Sequence, residues 1–292
     1  MNPIISVILP VYNAEDFIRD SVESILNQSF SDFELIILND GSTDRSKDII
    51  LSYRDKRIIY IANKKNMGLI KVLNYGIYLS RGKYIARMDA DDLCHRSRLE
   101  KQVDYLDTNK ETSILATTYH IIGATKVINT VRSWEENKIQ LLFEPGIGHS
   151  TVMIRGQSLR KYNLYYDRHA IHAEDYKLWA DASVLGLRIE TLEEDLCGYR
   201  PHACQVSVRY KDIQFQTAQK IRLTYGMHYF PEIISKNPLA YLKFLFGSKE
   251  GYFDESEDVG DQLLAKNNLN NYFDKKLFQQ FVNDRGSFFN KP

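Results

Sequence analysis

The sequence predicts an α/β fold: a Rossmann-like, mostly parallel sheet flanked by helices, followed by a helical C-terminal extension. Three observations carry that expectation. Short apolar runs at Ile4 to Val11, Phe33 to Leu38, Arg57 to Ala62 and Tyr84 to Met88 have the length and continuity of strands buried on both faces. The stretches between them place apolar residues at helical spacing, and strands alternating with helices of this length build parallel sheets with right-handed crossovers. Asn13, Asp40, Asn66 and Asp89 fall at the ends of the four runs. Ligands of such sheets bind outside the carboxyl ends of the strands, so these four should face one crevice.

Taken in order, Asn13 is placed to cap the first helix, with Glu15 and Asp16 in its first turn and Phe17, Ile18, Val22, Ile25 and Leu26 on its apolar face. Asn39-Asp40-Gly41-Ser42 forms a turn into a helix begun near Thr43, and Asn66-Met67-Gly68 a loop before a helix over Leu69 to Ser80. Past about residue 95 the alternation loosens. A helix around Arg98 to Leu106 precedes strands at Ile114 to Ile122 and Thr151 to Ile154, a helix over Glu174 to Leu185 and strand segments over Leu187 to Tyr199. From Lys211 the pattern is helical and rich in aromatics and Lys, with breaks at Asn237-Pro238 and Gly247-Ser248.

The 292 residues, 43% hydrophobic, suffice for one large or two modest domains. Lys plus Arg equals Asp plus Glu at 38 each, so nucleic acid is not expected as a partner and any bound anion must be met by local geometry. Cys94, Cys197 and Cys204 are scattered without ligand-like spacing, which fits a reducing compartment and small buried hydrophobes rather than a disulfide framework. The N-terminus lacks a signal-peptide pattern, and no apolar run approaches the roughly 20 residues of a spanning helix. The expectation is a soluble cytoplasmic protein, with a peripheral contact at the inner face of the plasma membrane left open.

The most informative stretch is Met88-Asp89-Ala90-Asp91-Asp92, directly after the apolar run Tyr84-Ile85-Ala86. Three carboxylates in four positions at the end of a buried strand repel one another and resist desolvation, unless a cation or a phosphate-bearing metal complex neutralises them. Carboxylate oxygens suit Mg²⁺ or Mn²⁺. An acidic helix cap explains the same residues equally well.

Neighbouring motifs break the tie. Val7 to Asn13 with Glu15, Asn39 to Asp44, Asn66 to Leu69 with Leu73 to Ile77, Asp89 to Asp92, His149 to Arg155, Ala173 to Trp179, and Tyr199 to His202 with Gln205 and Ser207 occur in one order. In these blocks, over residues 4 to 208, the chain resembles the family 2 inverting glycosyltransferases with the GT-A fold, of the bacterial surface-polysaccharide type. The resemblance implies a nucleotide-binding set of Pro10, Tyr12, Glu15, Asp40, Asn66, Lys71, Asp89 and Ala90. It assigns Asp91 to the metal and Asp89 to the ribose or the metal, with His202 as a further ligand or a diphosphate contact. Asp92 is a supporting residue or a helix cap. Asp175 is implied as the general base, and Glu174 as a residue that tunes Asp175 or orients the acceptor. His149 and Arg200 line the acceptor or phosphate side, whereas Arg155 is read as structural.

Several of these residues admit a plainer role. Asp40 suits the N3–H of a uracil ring, but Asp is also common in a turn ahead of glycine. Tyr12 can stack on a base or fill a core. Glu15 can serve a nucleoside or a helix dipole, and Asn66 and Lys71 are also ordinary loop residues.

The resulting expectation is an inverting, Mn²⁺- or Mg²⁺-dependent transferase. It would move a sugar from a UDP-sugar donor to a hydroxyl of a glycan or lipid-linked glycan in cell-surface polysaccharide biosynthesis. Residues 1–210 would form the catalytic domain, 1–94 the nucleotide half and 95–210 the acceptor half. Residues 211–292 would be a helical region contacting acceptor, membrane or a second subunit of a homo-oligomer. A sugar-phosphate nucleotidyltransferase would instead carry a Gly-rich basic loop where Pro10-Val11-Tyr12-Asn13 stands. A catalytically silent nucleotide-binding subunit of a glycan-assembly complex would have lost acidic residues that are present here. In the tail, Leu239, Tyr241, Leu242, Phe244, Leu245 and Phe246 lie beside Lys243 and Lys249. They suit a helix at a bilayer surface or, slightly better because the segment is apolar nearly all round, a packed helix.

Overall fold

The computed structural model describes residues 2–124, 126–128, 133–246 and 256–289. In the first half, strands β1 (Ile5–Val11), β2 (Phe33–Asn39), β3 (Ile58–Ala62) and β4 (Tyr84–Arg87) alternate with helices α1 (Ile18–Leu26), α2 (Ser46–Leu51) and α3 (Leu69–Leu79). Then follow β5 (Leu93–Cys94), α4 (Arg98–Thr108), β6 (Thr112–Ile121), β7 (Val127–Ile128), α5 (Trp134–Gln140), β8 (Met153–Arg155), α6 (Gly156–Tyr162), α7 (Glu174–Val184) and β9 (Arg188–Tyr199). Among the described residues that follow, the elements are all helices: α8 (Val206–Arg209), α9 (Lys211–Tyr229), α10 (Pro231–Ile234), α11 (Pro238–Phe246), α12 (Ser256–Asn270) and α13 (Lys275–Phe289).

The strands form one sheet in the order β3-β2-β1-β4-β8-β6-β9-β5, with β7 on β6. The first four pair in parallel, Ile5 opposite Phe33 and Tyr84. Strand β8 then runs antiparallel to both β4 and β6, and β6 pairs in parallel with β9. Two reversals restore the direction, so β6 and β9 end on the same side as β1 to β4. All the catalytic candidates depend on that geometry. The short strands β5 and β7, each of two residues, leave too little pattern to be read from sequence.

The continuous apolar runs are explained by burial on both faces. Along β1, Ile5, Val7, Leu9 and Val11 pack with α1 and α4 residues such as Val22, Ile25 and Leu99. Ile8 points the other way, into a core with Val72, Leu73, Trp179 and the C-terminal Tyr241 and Phe278. Gly76 of α3 lets that helix lie against the sheet: a Cβ there would sit 2.6 Å from Ile8 Cγ2. Arg98, fully buried, donates to the Arg87 and Val152 carbonyls at 3.0 and 3.2 Å, fastening α4 beneath the end of β4. Arg155 has the structural part expected of it, bonding the carbonyls of Thr112, Leu106 and Asn109.

Three sequence expectations need correction. Asn13 does not cap α1, which starts at Ile18; it takes a left-handed conformation (φ 49°), and its Oδ1 accepts the Thr43 N–H at 2.8 Å. A side chain spent on a neighbouring loop cannot cap its own helix. Thr151 belongs to a 3₁₀ turn, His149–Thr151, ahead of β8. Cys94 and Cys197 are buried as expected, but Cys204 is exposed.

The tail packs onto the domain. Tyr241, Phe244 and Leu245 of α11 are buried, leaving Leu239 as its most exposed apolar residue. The expected break at Asn237-Pro238 separates α10 from α11; Gly247-Ser248 and Lys249 lie outside the described residues. No helix among the described residues is long and apolar enough to cross a membrane.

Candidate active site

The turn after β4 carries the acidic cluster. Asp89, Asp91 and Asp92 each place a carboxylate oxygen within 4.8 Å of the others. Asp91 and Asp92 find partners in the chain that follows β9. The Arg200 N–H donates to Asp92 Oδ1 at 3.0 Å, and Arg200 Nε to the Asp91 carbonyl at 2.9 Å. His202 Nε2 lies 2.7 Å from Asp91 Oδ2. Phe17 supports this corner, its ring 4.8 Å from that of His202 and 5.4 Å from the Arg200 guanidinium. The cluster is stitched to α1 where Ser21 donates to the Asp89 carbonyl at 2.9 Å.

Strand ends β4, β6 and β9, the 3₁₀ turn and the start of α7 enclose a cleft of ≈ 270 Å³. Asp89, Asp91, Glu174 and Asp175 all line it, together with Arg87, Tyr119, His149, His172 and Tyr199. The sheet thus brings the metal candidates and the base candidates into one space. Residues 85 apart in sequence meet because β8 and the turn before it lead the chain back across the sheet.

Burial governs the electrostatics. Desolvation raises the Asp89 and Asp175 carboxyls above their ordinary range, opposed in both by the positive charge of Arg87. Desolvation and its neighbour Asp175 raise Glu174 to about 7, and Asp92 is pushed to about 7 by burial with Asp89 and Asp91 beside it. Arg87 is the counterweight: its guanidinium pairs with Asp89, while its Nε is shut from solvent without a hydrogen-bond partner. His149 is driven well below its ordinary range by burial and then by Arg87, so it is neutral, and its Nε2 lies 2.8 Å from the Tyr166 hydroxyl. The Tyr176 N–H bonds Asp175 Oδ1 at 2.7 Å and so fixes that carboxylate at the head of α7.

The other nucleotide-side candidates lie outside this cleft's lining. Asp40 is buried, and its carboxylate accepts from Asn63 Nδ2 at 2.8 Å and from the N–H groups of Met67 and Gly68 at 2.8 and 2.9 Å. It orders the 63–68 loop, where Asn66 Oδ1 also accepts the Gly68 N–H. Lys71 faces a separate hollow of ≈ 160 Å³ with Asn63, Met67 and Tyr75. Glu15 accepts from Arg45 N and Nε, both at 3.0 Å, tying the loop after β1 to that after β2. Gly41 is required at that second turn: it has φ +74°, and a Cβ would stand 2.6 Å from the Lys65 carbonyl carbon. Pro10 is buried in β1, Ala90 is nearly so, and Tyr12 is 51% exposed, its ring open to a ligand.

Sequence reasoning missed Arg87, Tyr119, Tyr166, His172 and Gln214. For Arg87 a signal existed, since a cation ending a buried strand two residues before an acidic cluster is a ready internal counterion. The rest sit in ordinary strand, loop or helix contexts, and only the three-dimensional path brings them together.

A mostly parallel sheet that delivers a strand-end Asp-X-Asp cluster and a pair of helix-start carboxylates into one cleft is the arrangement of a GT-A glycosyltransferase. The glycosyl transferase family 2 profile matches residues 6–168, more than half of the chain, and the chain belongs to that family. An uncharacterized glycosyltransferase of Haemophilus influenzae is 36% identical over 245 residues, which cover 79% of this chain and 76% of that one. The Escherichia coli UDP-Glc:alpha-D-GlcNAc-diphosphoundecaprenol beta-1,3-glucosyltransferase WfaP is 32% identical over 213 residues, 72% of this chain and 82% of its own. Among solved structures, S. aureus TarS 1-349 in complex with UDP-GlcNAc shares the fold with a TM-score of 0.64 at 16% identity, covering 98% of this chain and 88% of that one.

Proposed function

We propose that this glycosyltransferase is inverting and metal-assisted, moving a sugar from a UDP-sugar to a hydroxyl of a lipid-linked glycan during surface-polysaccharide assembly at the inner face of the plasma membrane. The observation that carries the reading is the convergence of Asp89 and Asp91 with Glu174 and Asp175 in one cleft. The UDP-sugar and lipid-linked acceptor in the name of WfaP and the UDP-GlcNAc complex of TarS support the donor and acceptor classes.

The acidic cluster fits a hard divalent cation. Its oxygens converge, and burial makes the uncompensated charges costly. Asp91 and Asp89, with His202, would hold Mn²⁺ or Mg²⁺, which supplies Lewis-acid neutralisation of the departing diphosphate. Tyr12, with Asp40 and Asn66 ordering the neighbouring loops, offers the nucleoside side. Asp175 accepts the acceptor hydroxyl's proton as that oxygen bonds to the anomeric carbon and the bond to UDP breaks on the opposite face. An α-linked donor then gives a β-linked product. Glu174 orients the acceptor and tunes Asp175. Residues 1–94 form the nucleotide half and 95–210 the acceptor half, and helix α9 of the C-terminal region packs on α7.

A nucleotidyltransferase is disfavoured because the loop after β1 spends its groups on the β2 loop, through Asn13 and Glu15, rather than presenting a glycine-rich phosphate cradle. The test is a donor screen with UDP-, GDP- and dTDP-sugars, read by released nucleotide. Turnover confined to UDP-sugars is expected; turnover only with GDP- or dTDP-sugars contradicts the donor assignment.

A further inference from the structure

The cleft opens beside an unusual surface. In the segment Val206 to Phe215, apolar and polar residues interleave, and Val208, Tyr210, Ile213 and Phe215 are 58, 44, 47 and 53% exposed. Ile171, 49% exposed, extends this patch from the loop before α7. The two pieces are joined: the His172 ring stacks on Tyr210 at 4.3 Å, and Gln214 Nε2 donates to the His172 carbonyl at 2.8 Å. His172, Val206 and Gln214 are at the same time walls of the cleft. The apolar rim is therefore the edge of the site itself.

We propose that this rim, Ile171 with Val208, Tyr210, Ile213 and Phe215, seats the enzyme on an anionic lipid bilayer, with the cleft mouth at the headgroup level. The inference deepens the lipid-linked-acceptor reading and rests on it. Charge selects the occupant. Residues 168–172 and 205–215 carry Arg168, Arg209 and Lys211 against the single carboxylate of Asp212. Aliphatic and aromatic side chains interleaved with cations suit a surface where the apolar parts enter the acyl boundary and the cations meet anionic headgroups. A second copy docking the same patch about a two-fold axis would bring Arg209 and Lys211 close to their own like charges. Exposed apolar surface at this density marks an interaction site. Helix α11 does not compete for the role, because Tyr241 and Phe244 are buried in the domain and Phe246, 37% exposed, is engaged by the rings of Phe143 and Phe215.

The test is flotation of the full chain with phosphatidylcholine vesicles, with and without phosphatidylglycerol, alongside calorimetric UDP binding and light-scattering mass. The wild type is expected to float with phosphatidylglycerol vesicles and less in high salt. The variant Val208→Ser/Ile213→Ser/Phe215→Ser should lose at least about tenfold in vesicle affinity. Arg209→Gln with Lys211→Gln should lose about fivefold per cation. Leu239→Ser on α11 should float like wild type, and all variants should bind UDP unchanged. Wild type that stays out of anionic vesicles while binding UDP overturns the rim alone, as do rim variants that float normally or that turn a wild-type dimer into a monomer. A protein that floats but binds no UDP overturns the functional reading beneath it.

Discussion

The loops after β1 and β2 and the cleft after β4 use the same residue types to opposite ends. In the first region every carboxylate discussed has backbone donors. Asp40 accepts from Met67 and Gly68, Glu15 from Arg45, and Asp44 from Glu15 and Ser46. Asp44 sits below its ordinary range because the Ser46 and Glu15 hydrogen bonds outweigh its desolvation. In the cleft, by contrast, burial raises Asp89, Asp92, Glu174 and Asp175 even though the Arg200 and Tyr176 N–H groups donate to Asp92 and Asp175, with Arg87 the shared cation. Satisfied carboxylates make a rigid frame. Under-compensated ones hold free energy that a cation, a phosphate or a proton transfer releases. The chemistry belongs where the charges are left unfinished.

Breaking the cleft should have the larger consequences. Asp175→Asn, nearly isosteric, should lower kcat about 10²–10⁴-fold, the scale of a lost general base, with UDP affinity nearly unchanged; steady-state kinetics and calorimetry check this. Wild-type transfer by that variant would move the base to Glu174. Asp91→Ala should lower turnover about 10²–10³-fold, as for other lost electrostatic stabilisers, and should abolish its response to added Mn²⁺.

The pH dependence sharpens the contrast. The base must be ionised, and burial raises Asp175, so kcat should fall on acidification with a limb above the ordinary Asp value of 3.8. Glu174 stands at about 7 in the fold against an ordinary 4.5, so the folded state loses stability as pH rises from 4.5 to about 7. Glu174→Gln should therefore stabilise the metal-free protein by about 1–3 kcal/mol above neutrality. The gain should vanish below pH 4.5, where the carboxyl is protonated in both states. Thermal melts at several pH values measure it; a gain independent of pH would mean that packing, not charge, is responsible.

The frame should answer in the other direction. Asp40→Asn leaves a single side-chain oxygen for three donors, and stability should fall by about 1–2 kcal/mol. Donor KM should rise a few-fold while kcat changes little. An Asp40→Asn protein with wild-type stability and a large kcat loss would place Asp40 on the catalytic side of the comparison.

The frame was also the more legible region. Runs such as Ile4 to Val11 announce a doubly buried strand, because a parallel sheet covered on both faces demands apolar residues throughout. Asp89, Asp91 and Asp175 were readable as motif members, and a strand was expected at Thr151 to Ile154, but the path that joins them was not: it depends on β8 pairing antiparallel between β4 and β6, which a three-residue strand does not announce. Asn13 misled because its preference for helix starts and its preference for left-handed turns look alike in one sequence. Arg87 reads in the sequence as one more residue of the Tyr84 to Met88 strand, and only the surrounding acids give it a role.

The central claim is that the unfinished charges of the cleft make nucleotide binding depend on a divalent cation. Calorimetric titration of UDP into wild-type protein, with Mn²⁺ and with chelator, tests it most directly. Binding strengthened at least about tenfold by Mn²⁺, with that gain lost in Asp91→Ala, is the predicted result. UDP affinity indifferent both to Mn²⁺ and to the substitution would contradict it.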